Sequence, residues 1–181
     1  ADAYTIDNSC RFEDSDGAYL DRTPGVAGNR TQFTFSAWVK RANIGSAVAD
    51  TYEACIFSSG TAPTRGHIRF YEDRLEAAYL ASSTWHWYQN TTALFRDPGA
   101  WYHIVVSLDT VNTSVKMYVN GTEITAFENN TVPGSSLETS FNNTVEHLVG
   151  RRAPASASAG YFDGELAEVY WIDGTIYTPS D

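Results

Sequence analysis

The sequence predicts an all-β fold, a two-sheet antiparallel sandwich of the jelly-roll type. Three observations predict it. First, residues 101–125 read WYHIVVSLDTVNTSVKMYVNGTEIT, in which Ile104, Val106 and Leu108 alternate with His103, Val105 and Ser107. Val115, Met117 and Val119 then alternate with Lys116, Tyr118 and Asn120, and this period of two belongs to half-buried strands. Second, Asn120-Gly121 suits a type I′ turn, which needs positive φ at both central residues. Strands over 101–109, 114–119 and 122–126 therefore follow one another antiparallel. Third, no stretch sustains a 3.6-residue period, and eleven Tyr, nine Phe and five Trp stand against one Met, a β-rich balance. A sheet with one apolar face must bury it on another sheet. That puts Ile104, Val106, Leu108, Val115, Met117, Phe35 and Val39 in the core.

The remaining elements follow in order. Residues 3–12 read as a first strand, 13–17 as a turn and 18–21 as a second short strand. Pro24, Gly25 and Gly28 mark 23–29 as a loop. Residues 31–41 (TQFTFSAWVKR) form a clear strand, with Phe33, Phe35, Ala37 and Val39 on one face and Thr34, Ser36, Trp38 and Lys40 on the other. A loop over 42–51 leads to a strand over 52–58. Residues 66–71 and 75–80 flank a tight hairpin turn at 72–74. Residues 82–90 hold the aromatic run Trp85-His86-Trp87-Tyr88 in a loop or short strand. Residues 127–144 (FENNTVPGSSLETSFNNT) read as a long polar surface loop, 145–149 as a strand, 151–160 as an Ala-Ser-rich loop and 161–173 as the last strand. Short strands punctuated by turns, with no repeat unit, fit a jelly roll.

The chain has 181 residues, enough for one domain with a sizeable core. It begins with Ala rather than Met, so we expect a piece of a longer chain or assembly. No apolar run approaches the length of a membrane span. The net charge of −10 argues against a nucleic-acid duplex, whose backbone is held by clustered Lys and Arg. Cys10 shares alternation with Phe12, and Cys55 with Phe57, so both are expected to point inward as small hydrophobes or to form one bridge.

Three segments together resemble the concanavalin A-like, or laminin-G-like, lectin/glucanase fold: 33–40 (FTFSAWVK), 101–121, and 162–169 (FDGELAEV). The resemblance covers nearly the whole chain. It implies a concanavalin A-like sandwich across 1–181. A narrower likeness lies in 4–9 (YTIDNS), Arg11-Phe12, 18–20 (AYL), 22–24 (RTP), 27–30 (AGNR), 164–174 (GELAEVYWIDG) and 178–181 (TPSD). These resemble concanavalin A-like domains in structural proteins of marine and environmental phages. That likeness implies a non-catalytic virion appendage, fibre or decoration module. Its setting would be extracellular, and its partners a cell-surface glycan or other virion proteins. It carries no catalytic motif over.

Glycan binding needs an aromatic face for stacking and polar groups that orient hydroxyls. Trp85, His86, Trp87 and Tyr88 have that composition, and neighbours on a strand cannot all enter one core. Trp85, Trp87 and Tyr88 are therefore expected on the outward surface or at a subunit contact, although burial of the two tryptophans under the long loops is the plain alternative. Alternation places Trp38, His67, Arg69, Tyr71, Trp101, His103, Lys116 and Tyr118 on non-core faces; from these, Trp38, Tyr71 and His103 join the ligand-binding set. A solvated sheet face or subunit interface explains the same pattern. Asp14 and Asp16, in DSDG, look like part of a calcium loop, but no EF-hand pattern surrounds them and a polar turn is the preferred reading.

Glu72, Asp73 and Glu76 invite comparison with the paired acids of glucanases sharing this fold. Two of the three fall in the turn, so the pairing a retaining glycosidase needs is missing. No nucleophile elbow, metal-binding His pair or phosphate loop is present. Six Asn-x-Ser/Thr triplets start at Asn29, Asn90, Asn112, Asn120, Asn129 and Asn142; they suit a secreted glycoprotein or a β protein with Asn- and Thr-rich turns. The expected function is attachment by a symmetric homo-oligomer. The alternatives are a glycosidase or lyase of the same fold and a secreted eukaryotic adhesion domain.

Overall fold

The computed structural model describes residues 5, 7–44, 53–154 and 160–181. Thirteen strands run in chain order: β1 (Cys10–Phe12), β2 (Leu20–Arg22), β3 (Gln32–Arg41), β4 (Glu53–Thr61), β5 (Thr64–Tyr71), β6 (Arg74–Ala81), β7 (Thr84–Thr91), β8 (Tyr102–Asp109), β9 (Ser114–Val119), β10 (Thr122–Glu123), β11 (Phe127–Thr131), β12 (His147–Val149) and β13 (Gly164–Asp173). No helix occurs among the described residues. One sheet has six strands in the order β1-β13-β3-β8-β9-β10, and the other has seven in the order β11-β7-β6-β5-β4-β12-β2. Every pair of neighbouring strands is antiparallel. The architecture is the expected jelly-roll sandwich.

The core lies between the sheets. Phe33, Phe35, Ile104, Val106, Leu108 and Met117 of the six-stranded sheet are fully buried against Ile56, Ile68, Phe70, Leu75 and Trp87 of the other. Val39 is fully buried too, while Val115 is half-buried at the margin of this packing. Asn120 and Gly121 both have positive φ, 50° and 79°, as the turn between β9 and β10 requires. The β5–β6 and β6–β7 hairpins turn the same way, through Glu72-Asp73 and Ser82-Ser83. Beneath the first of these, Asp73 is fully buried on Arg41 at 2.9 Å, and its other oxygen meets Arg96 at 2.8 Å.

Four register shifts interrupt the ladders, one of them in β11 between Phe127 and Asn129, and the other three reset which residues face the core. In β4 the register slips between Cys55, opposite Arg69, and Phe57, opposite Ile68. In β7 it slips between Trp85, opposite Leu80, and Trp87, opposite Tyr79. In β13 it slips between Ala167 and Tyr170. Cys55 is consequently buried on the Arg69 side of its sheet rather than beside Phe57, and burial pushes its thiol up to about 12. Cys10 is exposed at the start of an edge strand, contrary to the inward placement expected. Both cysteines are free thiols.

Other expectations shift. The polar stretch expected to be one loop contains β11, which pairs with β7. The first strand is confined to 10–12; its expected start at Ala3, and that of β4 at Tyr52, lie outside the described residues. The outer face of the six-stranded sheet is partly covered by the chain beyond β13. There Thr34 Oγ1 donates to the Thr175 carbonyl at 2.8 Å, and Ser107 Oγ donates to the Tyr177 carbonyl at 2.5 Å.

Candidate functional site

The outer face of the seven-stranded sheet carries a grid of polar and aromatic side chains, set by strand register. Arg65, His67, Arg69 and Tyr71 alternate outward along β5, because Gly66, Ile68 and Phe70 take the core side. Across β6 and β7 the rows read Arg65–Leu80–Trp85, His67–Ala78–Tyr88 and Arg69–Glu76–Asn90. On the far side of β5, Glu53 of β4 lies opposite Tyr71.

A chain of alternating charge crosses this face. His67 Nε2–H donates to Glu76 Oε1 at 2.8 Å, and Arg69 Nε and Nη2 reach the same oxygen at 2.7 and 2.6 Å. Arg69 Nη1 meets Glu53 Oε1 at 2.9 Å, and Arg152 Nη1 meets that oxygen at 2.9 Å from the loop after β12. His67 and Glu76 are fully buried. Burial, then the charge of Arg69, pushes His67 down to about 4, so it is neutral at ordinary pH. Burial opposes ionisation of Glu76, but the hydrogen bond from His67 and the charge of Arg69 hold its carboxyl below the usual value. With Nε2 protonated toward Glu76, Nδ1 of His67 is an acceptor, and it has no partner among the described residues.

Trp85 lies over this row. Its ring centroid is 5.8 Å from that of His67, edge-on, and 5.1 Å from that of Tyr88. Opposite His67 and Tyr88 stands Ala78, whose small side chain leaves room for the indole. Trp85 is 38% exposed, so part of its ring is open to a ligand. Tyr88 is half-buried, and burial together with Glu76 pushes its phenol up to about 12. Tyr71 is half-buried as well, and the Arg69 guanidinium stands 4.8 Å from its ring centroid. His86, within the β7 bulge, is exposed.

The residues expected to bind ligand therefore divide. Trp85, Tyr88 and Tyr71 share one face, whereas the His86 ring stands 6.3 Å from that of Tyr79, a core residue. Trp87 is corrected: the bulge turns it inward, where it is fully buried and donates Nε1–H to Gln89 Oε1 at 3.3 Å. Trp38 and His103 are brought together, stacked at 4.9 Å, but on the opposite outer face, that of the six-stranded sheet. Ser36 Oγ lies 3.0 Å from His103 Nε2, and burial lowers the His103 pKa. No single ligand of modest size touches both groups. Glu53, Arg65 and Arg152 were not singled out from the sequence. Arg65 precedes Gly66, where the strand was expected to begin; β5 starts two residues earlier, at Thr64.

The acidic turn gathers Asp14 with Glu13 and Asp163, all with oxygens within 4.8 Å of one another, and Asp16 is not in the group. Arg11 Nη2 bridges Glu13 and Asp163, at 2.9 Å from each. A guanidinium thus already supplies positive charge among these three acids.

A cavity of about 540 Å³ opens between β2, β12 and β13, walled by Leu20, Val26, Phe57, Val149 and Trp171. Several of its polar groups bond to one another: Trp171 Nε1 to Asn142 Oδ1, Asn142 Nδ2 to Asp173 Oδ1, and the Asn142 N–H to His147 Nε2. It offers a ligand mainly apolar wall, whereas the Trp85 face offers an open ring beside a network of polar side chains.

Residues 13–177 match the family model described as the concanavalin A-like lectin/glucanases superfamily. No curated protein matches the chain by sequence. Solved structures match by fold. A putative carbohydrate binding protein from Bacteroides ovatus is 16% identical, with a TM-score of 0.65 over 95% of this chain and 45% of that one. Domain 4 of AbnA, an extracellular GH43 arabinanase from Geobacillus stearothermophilus, solved with arabinotriose, is 19% identical; its TM-score is 0.57 over 82% of this chain and 64% of that one. The CBM40 of Ruminococcus gnavus IT-sialidase, solved with α2,3 sialyllactose, is 13% identical, with a TM-score of 0.56 over 83% and 91%. The chain thus spans less than two thirds of the arabinanase structure and less than half of the Bacteroides one.

Proposed function

This chain belongs to the concanavalin A-like lectin/glucanase superfamily, and on that premise we propose that it is a non-catalytic carbohydrate-binding module. Its recognition surface is the outer face of the seven-stranded sheet. One observation carries the proposal: Trp85 is 38% exposed directly beside a row of buried, mutually bonded polar side chains. A pyranose has a C–H face and a rim of hydroxyls. An indole takes the first, and fixed polar groups take the second. That solved neighbours include structures holding arabinotriose and α2,3 sialyllactose supports a sugar as the ligand.

The chemistry of Glu76 supports the absence of catalysis. A retaining glycosidase needs an acid with a raised pKa and a second carboxyl about 5–5.5 Å away. Glu76 is held below its usual value by His67 and Arg69, so it has no proton to give at neutral pH. The likeness of both chain ends to domains of phage structural proteins supports the wider role: a homo-oligomeric virion appendage or decoration that attaches to a cell-surface glycan.

The test is a glycan array probed with the intact chain, followed by titration of its hits. Trp85→Ala should weaken binding by tenfold or more, about 1.4 kcal/mol, with an unchanged thermal midpoint. Undiminished binding by that variant would remove this face from the proposal. Turnover of any polysaccharide that disappears on Glu76→Gln would show an enzyme instead.

A further inference from the structure

We propose that this face is selective for acidic glycans, with Arg65 receiving a sugar carboxylate while Trp85 supports the pyranose ring. The proposal rests on the glycan-binding reading above and adds the ligand's chemical class. Among the described residues, Arg69, Arg152 and Arg74 each meet a carboxylate on or beside this sheet face. Arg65 meets none: it makes no ion pair, and its buried Nε has no hydrogen-bond partner. Arg65 is nonetheless partly exposed as a residue, so a ligand can reach it.

Three influences oppose the charge on Arg65, and Glu53, already bonded to Arg69 and Arg152, offsets them only in part. Burial opposes it, and so do the neighbouring Arg152 and Arg69, whose own charges are taken up by Glu53 and Glu76. An incoming anion would relieve all three at once. The guanidinium fork matches a planar carboxylate with two parallel N–H···O bonds.

Spacing fits the same ligand. Arg65, Leu80 and Trp85 stand in one row on adjacent strands, so the ends of the row are two strand spacings, about 10 Å, apart. That span suits one sugar ring on the indole with an acidic substituent or neighbour directed toward Arg65. Leu80, half-buried between them, gives the apolar floor. The whole chain carries −10; a cation without an ion pair on this sheet face is therefore a selective feature, since the rest of the molecule repels acidic sugars.

Calorimetric titration of the intact chain decides the question. The probes are 3′-sialyllactose against lactose, trigalacturonic acid against its methyl ester, and lactose 3′-sulfate. We expect at least one carboxylate probe to bind tenfold or more tighter than its neutral counterpart, and the preference to shrink as salt rises. Arg65→Gln should bring that ratio close to one at an unchanged thermal midpoint. If Gln impairs folding, Arg65→Lys keeps the charge without the fork and should leave an intermediate ratio. Equal binding of acidic and neutral partners would overturn the acidic selectivity and leave the glycan reading standing. Binding of the sulfate as tight as the best carboxylate would overturn the carboxylate assignment. No binding of any probe, neutral or acidic, would overturn both.

Discussion

His67 is buried with its Nε2–H on the Glu76 carboxylate, and that arrangement sets how the protein meets acid. The unfolded side chain takes its proton near 6.5, the folded one near 4. Between those values the unfolded state binds more protons, so stability is full above about pH 6.5. It falls as the pH drops toward 4, by up to about 1.4 kcal/mol per pH unit. Urea unfolding at pH 7, 6 and 5 should show that decline, and His67→Gln should flatten it. Part of the slope should persist, because burial lowers His103 and His147 as well. An identical slope in the variant would assign the effect to other groups. Trp87 gives a second residue-level test. It is fully buried among Tyr79, Leu75 and their neighbours in the core, so Trp87→Ala should cost about 3–5 kcal/mol, whereas Trp85→Ala should leave stability nearly unchanged. Comparable losses in the two variants would contradict the opposite facing of these rings.

At the level of elements, the turn between β5 and β6 does more than reverse the chain. Asp73 has φ of 63° and holds the fully buried Arg41 guanidinium. Asp73→Asn keeps a residue that tolerates that backbone but removes the charge. It should cost about 3–5 kcal/mol, because a buried cation is left uncompensated; a loss under about 1 kcal/mol by chemical denaturation would show that Arg41 does not depend on it. Hairpins such as this were legible in the sequence. Alternation in 101–109 and 114–119 placed Ile104, Leu108 and Met117 in the core correctly, and Asn120-Gly121 marked its turn. Strand β11 was not legible, since an edge strand with little burial, FENNT, has no apolar face to alternate. The bulges were invisible for a different reason. A bulge is a property of two paired strands, and one extra residue opposite Leu80 reverses every facing counted along β7 alone. Trp85 and Trp87, which share parity in the sequence, were therefore separated by their partner strand. Cys55 parted from Phe57 in the same way. The candidate site was half legible: period two brought out His67, Arg69 and Tyr71, while the Trp38–His103 pair fell on the other sheet because sequence period cannot say which sheet a strand joins.

For the whole molecule, the proposed homo-oligomer makes a quantitative expectation. A shallow face with one exposed ring binds a single sugar weakly, and tethered copies raise apparent affinity by about 10²–10⁴. Light scattering at micromolar concentration should report an oligomer, and a glycan-coated surface should retain it far longer than free sugar competes. A monomer would refute the assembly. The division between Trp85 and Trp87 has an optical consequence. An indole open to water emits to the red and is quenched by acrylamide; one sealed in a core emits to the blue and is protected. The two rings lie two residues apart yet should report separate events: a sugar settling on the sheet should shield the first from quencher, and only unfolding should redden the second. Attachment and stability can thus be followed in one unlabelled sample, by the protein's own fluorescence.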